Sequence, residues 1–142
     1  MAPASVIDPA TLAAYRQTEY RVFGAIPAVL RVGARCAELA LLHEAYNTRC
    51  SAFISACNPL GAIVAEAVNR QRHEALAAQL SQLKLPSLEG VGQHPTSGWP
   101  GEPSYLVPGL TRTAAQQLGR QFQQNAIIWA GAAAIPELIL LR

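Results

Sequence analysis

The sequence has few charged residues and almost no imbalance between the two signs. Charged residues make up 14% of the 142 positions, and the formal net charge is +2. The arginines are scattered rather than gathered in a stripe with interleaved aromatic residues, so we expect no nucleic acid among its partners. Because 51% of the residues are hydrophobic, the composition predicts a packed globular chain rather than a disordered one.

Cysteines are also scarce, and none of them forms a CxxC pair. There are three, Cys36, Cys50 and Cys57, so any disulfide scheme leaves one over. This usage is typical of a reducing compartment rather than of a disulfide-stapled secreted scaffold. The opening residues, MAPASVIDPA, lack the positive charge that precedes the apolar run of a signal peptide. We therefore expect a cytoplasmic protein.

No apolar run is long enough to cross a membrane. The most apolar stretch, AIIWAGAAAIPELILLR, is interrupted by Gly131, Pro136 and Glu137. It falls short of the ~20 consecutive apolar residues that a membrane helix needs. Two buried strands explain this stretch better, and we expect no membrane partner.

Motifs for metal and phosphate binding are absent from the sequence. There is no HExxH, CxxC or HxH spacing of the kind that holds a metal ion. The segment NPLG, residues 58–61, lacks the Lys-Ser/Thr pair of a phosphate-binding loop. The sequence therefore predicts neither a metal nor a cofactor.

Hydrophobic periodicity predicts the element order α, β, β, α, β, α, β, β, α, β, β. Asp8 and Pro9 open the first helix, and Thr111 caps the last one. The near-continuous apolar run CSAFISACN indicates a central strand that is covered on both faces. A long helix is predicted from Leu60 to Leu83. The fold class that follows is α/β or α+β, with residues 1–142 as one domain and a mixed sheet of about 5–7 strands packed with three main helices.

Five stretches, taken in this order, carry a family resemblance: YRQTEYRV, AFISACNP, EAVNRQRHEAL, WPGEPSYLVPGL and LGRQFQQNAIIW. The chain resembles a small bacterial family filed as domain of unknown function 3293. That family has no assigned activity, so the resemblance implies a bacterial source and a fold context without a reaction. The family pattern has threonine where this chain has Ser55 and an aromatic residue where it has Cys57. The second difference argues against Cys57 as a nucleophile shared by the family.

The end of the central strand, Cys57-Asn58-Pro59, has two interpretations. Asn58 can cap the long helix while Pro59 presets its first turn. Alternatively, this hinge lies at the carboxyl end of a strand, where open α/β sheets place ligands. If the chain has a pocket, we then expect Asn58 to border it. Cys57 is either a buried inert thiol or a reactive one, and the second reading needs a histidine beside its sulfur.

Four further polar positions are candidate ligand contacts. Asn69 lies inside the long helix, where its helix propensity is mediocre, and can bind a ligand or a neighbouring loop. Glu102 and Ser104 follow Trp99 in the loop WPGEPSY, and they either contact a polar ligand or fix a tight turn. Gln124 belongs to an amide cluster with Asn125, and the resemblance selects it within that cluster. Such amides read a polar ligand or satisfy the last carbonyls of a helix.

Three functional hypotheses follow. The first is a soluble domain that binds a small polar or nucleotide-like ligand at the carboxyl end of the central strand, through Asn58, Asn69, Glu102, Ser104 and Gln124. The second is a non-catalytic module that binds a protein partner and uses these residues only to pin loops. The third is a cysteine-dependent enzyme built on Cys57. The sequence identifies no catalytic residue, and whether the chain is an enzyme stays open.

Overall fold

A computed structural model describes residues 5–142. Residues 1–4, which belong to the predicted domain and to the opening stretch considered for a signal peptide, lie outside the described residues. The α-helices are α1 (Pro9–Gln17), α2 (Ala37–Ala45), α3 (Glu66–Gln82) and α4 (Arg112–Gln121). The strands are β1 (Glu19–Val22), β2 (Ala28–Leu30), β3 (Ser51–Ile54), β4 (Leu88–Gln93), β5 (Glu102–Pro108), β6 (Ala126–Ala130) and β7 (Glu137–Leu140). This is the predicted element order, with the short α1 as a fourth helix beside the three main ones.

The seven strands form one sheet in the order β2-β1-β4-β5-β3-β6-β7. The α+β class and the strand number are confirmed, but every neighbouring pair is antiparallel, so the sheet is not mixed as predicted. The reason lies in the strand order. Each of the helices α2, α3 and α4 joins strands that run in the same direction, but at least one strand of opposite direction lies between them. A sequence pattern indicates strands and crossover helices, but not which strand separates two others.

Helices cover both faces of the sheet. On one face, α3 and α4 pack on Ile54, Val107 and Ile127, and on the other α2 packs on Phe53 and Ile128. All four residues of β3 are buried, which confirms the prediction of a central strand covered on both sides. None of the helices within residues 5–142 combines the length and apolarity that a membrane crossing requires.

The two ends of the sheet carry different groups. We call one the Asn58 end: there β2, β3, β4 and β7 finish while β1, β5 and β6 begin. We call the opposite one the Ser51 end, because Ser51 opens β3 there.

The edge strands are short. One edge is β2 with three residues, and the other is β7 with four residues, which directly follow Pro136. The chain beyond β2 turns back through a bridge between Arg31 and Ala34. The Gly33 N–H donates to the Pro136 carbonyl at 2.8 Å, and this bond joins the segments next to the two edges.

The long helix begins later than predicted. Residues Pro59–Gly61 form a 3₁₀ turn, and α3 starts only at Glu66. Positive φ angles of 54° at Leu60 and 79° at Gly61 are incompatible with a continuous right-handed helix, so the predicted start at Leu60 is wrong. Within α3, Glu66 and Arg70 form an ion pair at 3.7 Å, and both side chains are exposed.

Candidate functional site

Asn58 fixes the hinge between β3 and α3 through its backbone and its side chain. Its φ of 50° and ψ of 68° lie in the left-handed region, which asparagine tolerates better than most residues. Its N–H donates to Asn69 Oδ1 at 2.8 Å, and its own Oδ1 accepts from Asn69 Nδ2 at 2.9 Å and from Val64 N at 3.3 Å. Asn58 therefore pairs with Asn69 inside the helix instead of capping the start of α3.

Glu102 opens β5 and lies next to this amide pair. Asn58 Nδ2 donates to Glu102 Oε2 at 3.3 Å, a long hydrogen bond. Among the described residues, no arginine, lysine or histidine forms an ion pair with this partly buried carboxylate. Burial raises the pKa of Glu102, and the hydrogen bonds from Ser55 and Asn58 lower it only in part. The carboxylate is thus poorly compensated.

Ser104 and Gln124 lie close to this group but bind backbone. The Ser104 hydroxyl donates to the Glu102 carbonyl at 3.0 Å, and its side chain is buried. Gln124 Nε2 donates to the carbonyls of Cys57 and Phe122, both at 3.1 Å. The structure therefore brings Asn58, Asn69 and Glu102 together, whereas Ser104 and Gln124 hold the strands beneath them.

Arg72, which the sequence did not single out as a site residue, ties α3 to this region. It lies one turn after Asn69. Its Nε donates to the Ala56 carbonyl at 2.6 Å, and its guanidinium also donates to the Phe122 carbonyl. Arg72 thereby joins the segment that leads out of β3 to the end of α4.

Three further residues from distant parts of the chain, Tyr15, Asn125 and Arg142, are linked by hydrogen bonds. Asn125 Nδ2 donates to the Tyr15 hydroxyl at 3.0 Å, and Arg142 Nη1 donates to Asn125 Oδ1 at 2.9 Å. Burial raises the pKa of Tyr15, while the hydrogen bond from Asn125 lowers it. The negative charge of Glu102 raises this pKa and the positive charge of Arg142 lowers it, so the tyrosine hydroxyl responds to both groups.

The hinge passes close to these residues because Gly61 has no side chain. A Cβ on Gly61 would lie 3.1 Å from Asn125 Nδ2. The Leu60 N–H donates to the Gln123 carbonyl at 2.6 Å, which holds the hinge against the start of β6. Only Asn125 belonged to a cluster visible in the sequence. Tyr15 and Arg142 had no local signal, since 110 and 17 residues separate them from Asn125.

Cys57 has no histidine partner. His43, His73 and His94 are hydrogen-bonded instead to Ser51, Glu89 and Gln17. The Cys57 sulfur lies 3.9 Å from the Asn69 carbonyl and 3.7 Å from the Pro103 carbonyl. Burial raises the pKa of this thiol. The histidine that a nucleophilic Cys57 requires is therefore missing within residues 5–142.

Two cavities, of about 430 and 290 Å³, lie at the Ser51 end of the sheet. Asn58 borders neither of these two cavities, and the expectation that it borders a pocket stays a prediction. The described residues also contain no cluster of three or more His, Cys, Asp or Glu side chains arranged to hold a metal ion.

Comparison with curated proteins and with solved structures found no match. The profile of a family described as "Protein of unknown function (DUF3293)" matches residues 54–127. This match covers slightly more than half of the chain, from the end of β3 into β6, and it includes Asn58, Asn69 and Glu102. The chain therefore belongs to the DUF3293 family.

Proposed function

We propose that this protein binds a small polar ligand at the Asn58 end of β3, with Glu102 as the main contact. The observation that carries the proposal is the poor compensation of the Glu102 carboxylate. Its hydrogen bonds come from neutral groups, the Ser55 hydroxyl and the Asn58 amide, the latter at 3.3 Å, and burial raises its pKa. Taking a carboxylate out of water without a cation or short hydrogen bonds is unfavourable. A ligand that donates N–H groups would offset that penalty.

The surrounding groups narrow the chemistry of this ligand. Glu102 accepts hydrogen bonds, and the Tyr15 hydroxyl, whose pKa is raised by the charge of Glu102, can donate one. An amine, an amidine or the amino edge of a nucleobase would match the carboxylate, and a neighbouring oxygen of the same ligand would match the tyrosine hydroxyl. Small polar and nucleotide-like molecules combine such groups.

The hinge supports the proposal because its backbone is held in an unusual conformation. Asn58 and Leu60 both have positive φ angles, of 50° and 54°. Left-handed non-glycine residues are unfavourable and are often retained next to binding sites. The Asn58–Asn69 pair gives the hinge one conformation and orients the amide that faces Glu102. Such preorganisation reduces the entropy lost on binding.

Thermal-shift screening against nucleosides, nucleotides and small amines tests the proposal. We expect a ligand that raises the melting temperature of the wild type and has no effect on Glu102→Gln. Glu74→Gln is the matched control, because Glu74 is exposed on α3 and should leave the shift intact. Binding that survives Glu102→Gln would refute this site.

A non-catalytic interaction module is the second candidate. It is favoured by the internal hydrogen bonds of Asn69, Ser104 and Gln124 and by two exposed apolar side chains in the hinge segment. Leu60 is 47% exposed and Ile63 is 67% exposed. If no compound shifts the melting temperature, and Leu60→Ser and Ile63→Ser both abolish capture of a protein partner, this alternative replaces the first.

A further inference from the structure

A cavity with a polar lining lies at the Ser51 end of the sheet, away from Glu102. The cavity of about 430 Å³ there is lined by the end of α2 and the residues that follow it, among them His43, Glu44, Asn47, Thr48 and Arg49. Small-molecule sites in proteins usually fall between about 300 and 1,000 Å³. This volume is large enough for a metabolite of a few heavy atoms.

The ring of His43, one of the residues that line this cavity, is held by a hydrogen bond to Ser51. The residue is 5% exposed, and its Nε2 lies 2.8 Å from the Ser51 hydroxyl, which is itself 1% exposed. Among the described residues, His43 Nε2 is the hydrogen-bond partner of this buried hydroxyl. The hydroxyl must therefore donate, since an unpaired buried O–H is unfavourable. Neutral His43 then carries its proton on Nδ1.

The Nδ1–H group has no hydrogen-bond partner among residues 5–142. It also differs from His73 Nδ1, the one side-chain N or O atom in these residues that is fully buried without a partner. His43 Nδ1 is therefore not fully buried, and His43 is one of the residues that line the cavity. A nearly buried histidine with a free donor at a cavity is an incomplete hydrogen-bond arrangement that a ligand acceptor would complete.

The cavity also carries one group of each charge. Arg49 supplies a guanidinium and Glu44 a carboxylate, and neither forms an ion pair with another described residue. The carboxyl end of α2, at Ala45, bears the partial negative charge of a helix terminus and favours a cation nearby. The lining thus offers donors for an anionic group and acceptors for a cationic one.

We propose that this cavity binds a small zwitterion of the α-amino acid class. The ligand carboxylate accepts hydrogen bonds from Arg49 and from His43 Nδ1–H, with Asn47 and Thr48 as neighbouring donors. The ligand ammonium group faces Glu44 and the carboxyl end of α2. Glu44 would repel a ligand that carries only a negative charge, and Arg49 would repel one that carries only a positive charge. A zwitterion matches both side chains.

The test uses the full chain, labelled for NMR, and free L-amino acids added one at a time at millimolar concentration. The readouts are the His43 ring resonances and the Thr48 backbone amide, both remote from the Asn58 end. Two derivatives serve as probes of charge, namely the N-acetyl amino acid and the amino acid amide. The variants are Arg49→Gln and Glu44→Gln, with Arg70→Gln and Glu74→Gln as exposed controls on α3, which covers the opposite face of the sheet.

We expect at least one amino acid to shift both resonances in a saturable way. Each cavity variant and each blocked derivative should weaken this binding about tenfold or more, since each removes a hydrogen bond to a charged group. The α3 variants should bind like the wild type. The inference is overturned if no amino acid shifts these resonances, if both cavity variants bind normally, or if the N-acetyl derivative binds as well as the free amino acid. A shift confined to the Asn58 end would also overturn it while supporting the Glu102 site.

Discussion

Replacing Asn58 should destabilise the fold more than replacing most surface polar residues. Its side chain makes three hydrogen bonds, to Asn69 at 2.9 Å and to Val64 and Glu102 at 3.3 Å each. Because two of the three are long, their loss together should cost about 2 kcal/mol. Alanine in the left-handed conformation adds about 1.5 kcal/mol, so Asn58→Ala should lower the free energy of unfolding by about 3.5 kcal/mol.

Asn58→Gly separates the backbone contribution from the hydrogen bonds. Glycine adopts a φ of 50° without strain, although it makes the unfolded chain more flexible. We therefore expect a loss about 1 kcal/mol smaller than that of Asn58→Ala. Urea denaturation followed by tryptophan fluorescence measures both values, provided that the slope with denaturant is unchanged. An alanine variant within about 1 kcal/mol of the wild type, or a glycine variant that is the less stable of the two, would refute this account of the hinge.

Three further predictions follow from the geometry. Glu102 binds a proton more readily in the folded than in the unfolded chain, so its contribution to stability falls as pH rises from its ordinary pKa through the raised one. Over that pH window, Glu102→Gln should gain stability relative to the wild type. If the melting temperatures of the two proteins change with pH in the same way, this prediction is contradicted. Gly90→Ala should cost about 2 kcal/mol or more of stability, since its Cβ would lie 2.5 Å from a backbone oxygen and 2.8 Å from an aromatic ring. Gly92→Ala, whose Cβ would have no contact under 3.7 Å, should change stability by less than about 0.5 kcal/mol. Equal losses of stability in urea denaturation would show the reasoning to be wrong. Iodoacetamide should label the half-buried Cys50 well before Cys57, whose thiol is buried and has a raised pKa, and mass spectrometry that finds Cys57 modified first would argue against a buried inert thiol.

Local signals predicted the secondary structure well because the chain follows them. The Asp8 side chain accepts from Ala10 N, and Thr111 accepts from Ala114 N, so both predicted caps are present. The hinge departed from its pattern because a side chain from elsewhere determines its backbone. Leu60 sits at helical spacing from later apolar residues, but Asn69 holds Asn58 in the left-handed region and the chain enters α3 only afterwards.

The candidate site was predictable only where its residues lie next to recognisable turns. Asn58 and Glu102 flank prolines at strand ends, and this feature marked them in the sequence. Tyr15 and Arg142 lie in segments with no such mark, and they reach Asn125 only through the tertiary fold. The strand order was not predictable for the same reason. Strand β1 pairs with β4 across about 70 residues of sequence, from Arg21 to Val91.

The short edge strands restrict how this sheet can associate with other chains. An exposed edge normally offers a row of unpaired backbone groups, which an extended peptide or a second sheet can extend. Here β2 presents three residues before the chain folds back on itself, and β7 presents four residues after Pro136. Strand addition therefore has little backbone to pair with at either edge. The same shortness protects the protein against edge-to-edge aggregation, so that a partner would have to be recognised mainly through side chains.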